Sequence, residues 1–158
     1  MKPFALKTAL YKHQQRAFNK LSKLKVGALF MEMGTGKTRT AIELAKFRVG
    51  KIDKVIWCCP VSVEETIKQE ILKHTDCDKD EIYVFGSKTT DINIPNVGWI
   101  IVGIESIGQS DRVTVALNNI IADQTMLVVD ESSFIKGYRS KMRINTRSWT
   151  GFIDTLRC

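Results

Sequence analysis

The sequence predicts an α/β domain: a mostly parallel sheet with helices on both faces. Three observations carry that prediction. Short apolar runs at residues 26–30, 54–59, 99–103 and 126–129 alternate with helical stretches. These runs are continuously apolar rather than alternating, the pattern of strands buried on both sides. A glycine-rich turn separates the first run from the helix after it, and an acidic pair ends the last. At 158 residues one domain is expected, and 44% hydrophobic with 26% charged residues is ordinary globular composition, not that of a disordered chain. Ten Gly and three Pro exclude a collagen-like chain, and no apolar run is long enough to span a bilayer. Residues 1–10 are broken by Lys7 and make a poor signal peptide. The expectation is a soluble, cytoplasmic domain with no membrane partner.

The elements follow in order. Residues 10–21 suggest a basic amphipathic helix, with Ala17, Phe18, Leu21 and Leu24 toward the core. Residues 26–30 form a short strand, 31–36 a turn, and 37–49 a helix closed by Gly50. Residues 54–59 form a buried strand stopped by Pro60. Ser62 is placed to cap the next helix, which carries Glu64 and Glu65 in its first turn and runs to about Lys73. An acidic loop covers 74–80, a strand 81–85, and a polar connection 86–98. Residues 99–103 form a fourth strand, 111–121 a helix, and 126–129 a fifth strand ending on Asp130-Glu131. A last helix is expected over about 141–156.

Charge is segregated along the chain. Residues 1–54 hold thirteen Lys/Arg against three Asp/Glu, residues 55–131 five against thirteen, and residues 132–158 six against one, within an overall +7. The first 25 residues carry seven cations and no acid. Such a distribution suits a polyanion held on one face, because counterion release drives phosphate binding; a solvated Lys-rich helix surface is the plainer reading. Cys58, Cys59, Cys77 and Cys158 form no Cys-x-x-Cys, and His13 and His74 are not spaced as zinc partners. The cysteines read as structural, reduced thiols.

Met33-Gly34-Thr35-Gly36-Lys37-Thr38 lies between a strand and a helix, the setting a phosphate-binding P-loop requires. Backbone N–H groups at the turn and the helix start point at phosphate oxygens, and glycines let the backbone approach. Lys37 would bridge the β- and γ-phosphates of ATP, and the Thr38 hydroxyl would sit on Mg²⁺. The fuller consensus has Gly where this chain has Met31. The acidic half of such a site belongs at the carboxyl end of a neighbouring strand. Asp130 would hold Mg²⁺, partly through its water shell, and Glu131 would orient or deprotonate the attacking water. Lys37, Asp130 and Glu131 are therefore the candidate catalytic residues.

Met31 to Thr38 resembles motif I of superfamily 2 helicases, especially the Swi/Snf-type translocases, whose usual form is Asp-Glu-Met-Gly-Leu-Gly-Lys-Thr. Leu10-Tyr11-Lys12-His13-Gln14 is similar to the family's opening segment, whose Gln reads the adenine edge. Residues 55–62 resemble motif Ia, a strand followed by Pro and Ser at the nucleic-acid backbone. Residues 99–106 resemble the next strand-plus-loop motif, and 130–136 resemble motif II, with Arg139-Ser140-Lys141 at the place of a basic tail. Ser132 and Ser133 stand where the family has Ala and His, so the coupling role of that His is not carried over.

The resemblance implies a RecA-like P-loop lobe over 1–158, with 1–25 a basic adenine-side segment and 26–158 the core. It implies a nucleotide set of Gln14, Met33, Gly34, Thr35, Gly36, Lys37, Thr38 and Arg39. Nucleic-acid contacts fall on Ser62 by resemblance, and on Lys136, Arg139 and Lys141 by charge. The partners implied are DNA, with duplex favoured, and a second RecA-like lobe in cis or in trans that supplies an arginine finger. The motif III strand, which lies between the strands of motifs I and II, has no match before Cys158. An incomplete lobe with a central gap is therefore expected. A strand from another chain or copy would fill it, or the sheet would close differently. Two other readings are a non-catalytic nucleic-acid- or protein-binding module, such as half of a split motor, and a small P-loop kinase.

Overall fold

The structure, a computed structural model, describes residues 1–29, 31, 32, 34–86, 88, 89, 93–121 and 124–130, and the backbone course of 151–155. Six strands form one sheet: β1 (Val26–Ala28), β2 (Lys54–Cys59), β3 (Ile82–Val84), β4 (Trp99–Gly103), β5 (Thr125–Asp130) and β6 (Gly151–Thr155). Their order is β1-β6-β5-β2-β4-β3, and every pairing is parallel. Among the described residues five α-helices cover it: α1 (Lys12–Leu21), α2 (Lys37–Arg48), α3 (Glu64–His74), α4 (Ile104–Gln109) and α5 (Asp111–Ile120).

Alternation along the central strands divides the core in two. Val55, Trp57 and Cys59 of β2, Trp99 and Ile101 of β4, and Met126 and Val128 of β5 pack with Ala41, Leu44 and Ala45 of α2 and Ile67 and Ile71 of α3. Ile56, Cys58, Ile100, Val102, Leu127 and Val129 point the other way, onto α4 and α5. Both faces are apolar, which is why the sequence runs showed no period of two. Each fully buried large aliphatic side chain here contributes about 1.5–3 kcal/mol. The described cysteines, Cys58, Cys59 and Cys77, are free and buried, and burial pushes the Cys58 thiol up to about 12.

The largest departure from expectation is β6. Residues 151–155 form a strand, not the end of a helix, and they occupy the slot between β1 and β5. Phe152, Ile153 and Thr155 favour a strand, and the slot offers a hydrogen-bonding ladder on each side. The gap is thus filled by the chain itself, and no strand from another copy is needed there. The remaining stretch of the expected helix lies outside the described residues.

Smaller departures have local causes. Leu24 is exposed because α1 ends at Leu21 and the helical spacing lapses. Ser62 does not cap α3: it sits exposed in a 3-10 turn, Val61–Val63, and Val63 takes the N-cap position without a side-chain bond. Glu64 and Glu65 do occupy the first turn of α3. The helix α4, directly after β4, was not expected.

Residues 1–10 strap across α2 and α3. Ala5 and Lys7 N–H groups donate to Asp76 Oδ1 (2.6 Å) and the His74 carbonyl (2.9 Å). Lys46 Nζ donates to the Phe4 carbonyl, and the Phe4 ring packs on Trp99 at 5.6 Å. Arg39 Nε donates to Thr8 Oγ1 (2.9 Å), which leaves that hydroxyl to donate to His74 Nδ1 (2.7 Å). His74 Nε2 then donates to Glu70 Oε2 (3.0 Å), a tautomer assigned by this network. Burial holds the His74 pKa below its ordinary value, and the charges of Arg39 and Lys73 oppose protonation while Glu70 favours it. With the folded pKa depressed, the unfolded chain takes up the proton first, so stability falls as pH drops below about 6.5. Urea midpoints should therefore decrease between pH 7.5 and 5.5, and His74→Gln should flatten that dependence; parallel profiles for the two proteins would exclude His74 as its source.

Candidate functional site

The site lies at the carboxyl edge of the sheet, where β1 runs into α2. Leu29 is buried and anchors the start of the connecting loop, and Met31 packs against the core. Thr35 closes the turn, its hydroxyl donating to the Glu32 carbonyl at 2.7 Å. Gly34 and Gly36 both adopt left-handed backbone, φ 76° and 79°, which other residues rarely take. Gly36 is also the N-cap of α2, and a Cβ there would lie 2.1 Å from Gln14 Nε2. The helical ladder opens with Thr40 N–H to the Gly36 carbonyl, so the N–H groups of Lys37, Thr38 and Arg39 precede the first such bond. Such donors, with the positive end of the helix dipole, suit an anion.

Gln14 joins α1 to this loop. It is buried, accepts from Tyr11 N–H (2.9 Å) and donates from Nε2 to the carbonyls of Thr35 (3.0 Å) and Gly36 (3.4 Å). His13 Nε2 also meets the Thr35 carbonyl, at 2.9 Å, and must be the donor because a carbonyl only accepts. Both N–H bonds of the Gln14 amide are thus directed at the loop. Contact with an adenine edge through this amide requires exchanging one of them.

Lys37 begins α2, and its ammonium donates to the carbonyls of Met31 (2.9 Å) and Glu32 (3.5 Å), over the loop. Thr38 is the second residue of the helix and half-buried. Arg39 lies elsewhere: its guanidinium binds Thr8 and pairs with Glu43 at 2.7 Å, so its side chain serves the N-terminal strap. Position alone in the motif could not reveal this, because the partner Thr8 is distant in sequence.

Asp130 ends β5, half-buried. The register fixes its place: Ala28 of β1 and Val129 of β5 both stand opposite residue 154 of β6, and Asp130 stands opposite Thr155. The glycine loop and Asp130 therefore leave the same sheet edge two strands apart. At about 4.8 Å per strand this is roughly 10 Å, room for a phosphate chain and a cation between them. Residues present thus fit a Mg²⁺-nucleotide. Met33, Glu131, Lys136, Arg139 and Lys141 lie outside the described residues.

Ser62 is exposed at the next strand end, beyond β2. Its turn is held by Glu105, whose Oε2 accepts Val61 N–H at 3.0 Å. Glu64 sits beside it, bonded to the Gly103 N–H, and burial together with Glu105 holds its pKa above the ordinary carboxylate value. The Cys59 thiol is likewise held up, first by burial and then by Glu64, Cys58, Asp130 and Glu105. Sequence reading places Glu64 only as a first-turn acid of α3 and gives Glu105 no role. They converge through the pairing of β2 with β4, which no local pattern announces.

No protein-family model matches the sequence, and no curated protein matches it. Solved structures do. The chain aligns over 100% of its length with the Sulfolobus solfataricus SWI2/SNF2 ATPase core in complex with dsDNA, at TM-score 0.77 and 20% identity, covering 34% of that chain. It aligns over 92% with the Pyrococcus furiosus Hef helicase domain (TM-score 0.74, 15% identity, 32% of that chain). It aligns over 99% with the UvsW helicase from bacteriophage T4 (TM-score 0.71, 11% identity, 56% of that chain). The chain thus spans about a third of the first two structures and just over half of the third. Its fold is a RecA-like lobe, the one it shares with part of these SWI2/SNF2 ATPase and helicase structures.

The two loop glycines should separate by substitution. Gly34 has open space around it, so Gly34→Ala is expected to cost about 1–2 kcal/mol from backbone strain alone. Gly36→Ala adds the clash with Gln14 and should cost more, with part of the excess recovered in a Gln14→Ala background. A denaturant-unfolding mutant cycle reads the coupling directly; strictly additive effects would rule it out.

Proposed function

We propose that the chain is the ATP-binding lobe of a Swi/Snf-like, DNA-dependent ATPase of the superfamily 2 helicases. A second RecA-like lobe, in cis or in trans, would complete the site for ATP hydrolysis with Mg²⁺. One observation supports this most: a loop with two left-handed glycines and Lys37 shares a sheet edge with Asp130, two strands away. A P-loop and a metal-binding carboxylate need that separation, and the fold likeness to SWI2/SNF2 and helicase cores agrees with it.

The residues have distinct work in this reading. Lys37 exchanges two neutral carbonyl acceptors for phosphate oxygens, a gain because bonds between opposite charges are the stronger kind. The first N–H groups of α2 and the loop hold the remaining phosphate charge. Thr38 and Asp130 hold Mg²⁺, Asp130 partly through water. Bound Mg²⁺ supplies Lewis-acid stabilisation of charge on the phosphate oxygens. Glu131 takes the proton of, or orients, the attacking water. Gln14 fixes the loop through Thr35 and Gly36, and senses adenine only by trading one of those bonds. Ser62 contacts the nucleic-acid backbone, with Lys136, Arg139 and Lys141 adding charge. The SWI2/SNF2 core seen with dsDNA favours duplex DNA as the partner.

Lys37→Ala should weaken nucleotide binding at least 100-fold in a fluorescent-nucleotide titration. Glu131→Gln should leave binding intact and suppress phosphate release; unchanged turnover would exclude Glu131 as the catalytic carboxylate. Turnover by the chain alone should be low, because a trans-supplied arginine finger is worth about 10³–10⁵ in rate. Adding duplex DNA and a second lobe should raise it.

A further inference from the structure

The exposed face of α1 gathers like charges. Lys12, Arg16 and Lys20 follow at four-residue intervals and are all exposed, so they line one face with about 6 Å between successive turns. Each neighbouring pair repels. Lys12 also sits in the first turn, at the positive end of the helix dipole, and that turn holds no acidic residue. The ion pairs among the described residues are Lys2–Glu81, Arg39–Glu43, Lys73–Glu70 and His74–Glu70, so none relieves α1. The first acid in the chain is Glu32.

Three cations of α2 have structural partners. Arg39 binds Thr8, Arg48 Nη2 donates to the Leu24 carbonyl at 2.8 Å, and Lys46 donates to the Phe4 carbonyl. The α1 cations have none of this kind. Beside them runs a cleft of about 380 Å³ whose rim is His13, Arg16 and Lys20 and whose floor is Ala17, Leu21 and Leu29. Next to the stripe Tyr11 is 72% exposed and stacks on His13, with ring centroids 6.0 Å apart.

We propose that the α1 face bearing Lys12, Arg16 and Lys20 docks the sugar-phosphate backbone of duplex DNA, at a place separate from the Ser62 turn. It shares with the proposed function only the premise of a DNA partner. Three unpaired cations in a line match a polyanion with regularly spaced phosphates, whose bound counterions they would release. Protein interfaces are depleted in Lys at their centres, which disfavours an acidic protein as the occupant. Docked phosphates would also relieve the repulsion along the helix.

The test is anisotropy of a short labelled duplex across a salt series. The variant Lys12→Gln/Arg16→Gln/Lys20→Gln is compared with Lys51→Gln/Lys79→Gln/Lys88→Gln, which removes the same charge from other exposed positions. The α1 variant should lower the salt slope by about 2.7, from three phosphate contacts, and weaken binding at least tenfold at low salt, while the control variant stays near the unsubstituted chain. Equal slopes in all three proteins, or equal losses in both variants, would overturn the proposal. So would competition by an acidic peptide but not by unlabelled duplex. A chain that binds nucleotide but no duplex also sinks it, and leaves the nucleotide site standing. Unfolding curves accompany each variant; the α1 variant should stay close to the unsubstituted chain in stability, since it loses the repulsion along the stripe together with the favourable place of Lys20 in the last turn.

Discussion

A parallel sheet covered on both faces has no tolerance for an empty slot, because each buried strand needs a hydrogen-bonding neighbour on either side. In this chain β5 is such a strand, with β2 on one side and β6 on the other. The slot taken by β6 does more than complete the ladder. It spaces β1 from β5, and so sets how far the glycine loop stands from Asp130. Had β1 paired directly with β5, the two would be one strand apart, too close for a hydrated cation and a phosphate together. The geometry of the site is a consequence of strand order.

The loop itself depends on a second constraint. Left-handed backbone at Gly34 and Gly36 turns the chain sharply between strand and helix, and Gln14 donates to the carbonyls of Thr35 and Gly36. The helix α1 is therefore joined to the glycine loop through one buried amide, with His13 adding a second bond to Thr35. An occupant of the exposed α1 face and an occupant of the loop would act on the same short segment, since Lys12 and Arg16 flank Gln14 in sequence. This is the physical link between the basic helix and the glycine loop.

Much of this was legible in the chain. The bounds of β2 and β4, and the start of α2, follow from apolar runs bounded by Pro60, Gly98 and Gly36, and the structure places them there. Ser62 was misread because a polar residue ahead of two glutamates looks like a cap, whereas Pro60 starts a 3-10 turn that moves the cap to Val63. Residues 151–155 form a strand where a helix end was expected, because the decisive influence is the ladder between two distant strands, which no local pattern announces. Arg39 and His74 belong to the same class: each is fixed by Thr8, far away along the chain.

The sequence by itself determined the class of fold, the glycine loop ahead of α2 and the place of Asp130 at the end of β5. Each of these is local: a run of apolar residues, a pair of glycines, a carboxylate after a strand. Tertiary structure alone decided which strand fills the centre, which cations are engaged and which stay free on α1, and where Glu64, Glu105 and Cys59 meet. Those depend on strand order and on contacts between residues tens of positions apart. Hydrophobic periodicity and turn chemistry act over a few residues and cannot encode them.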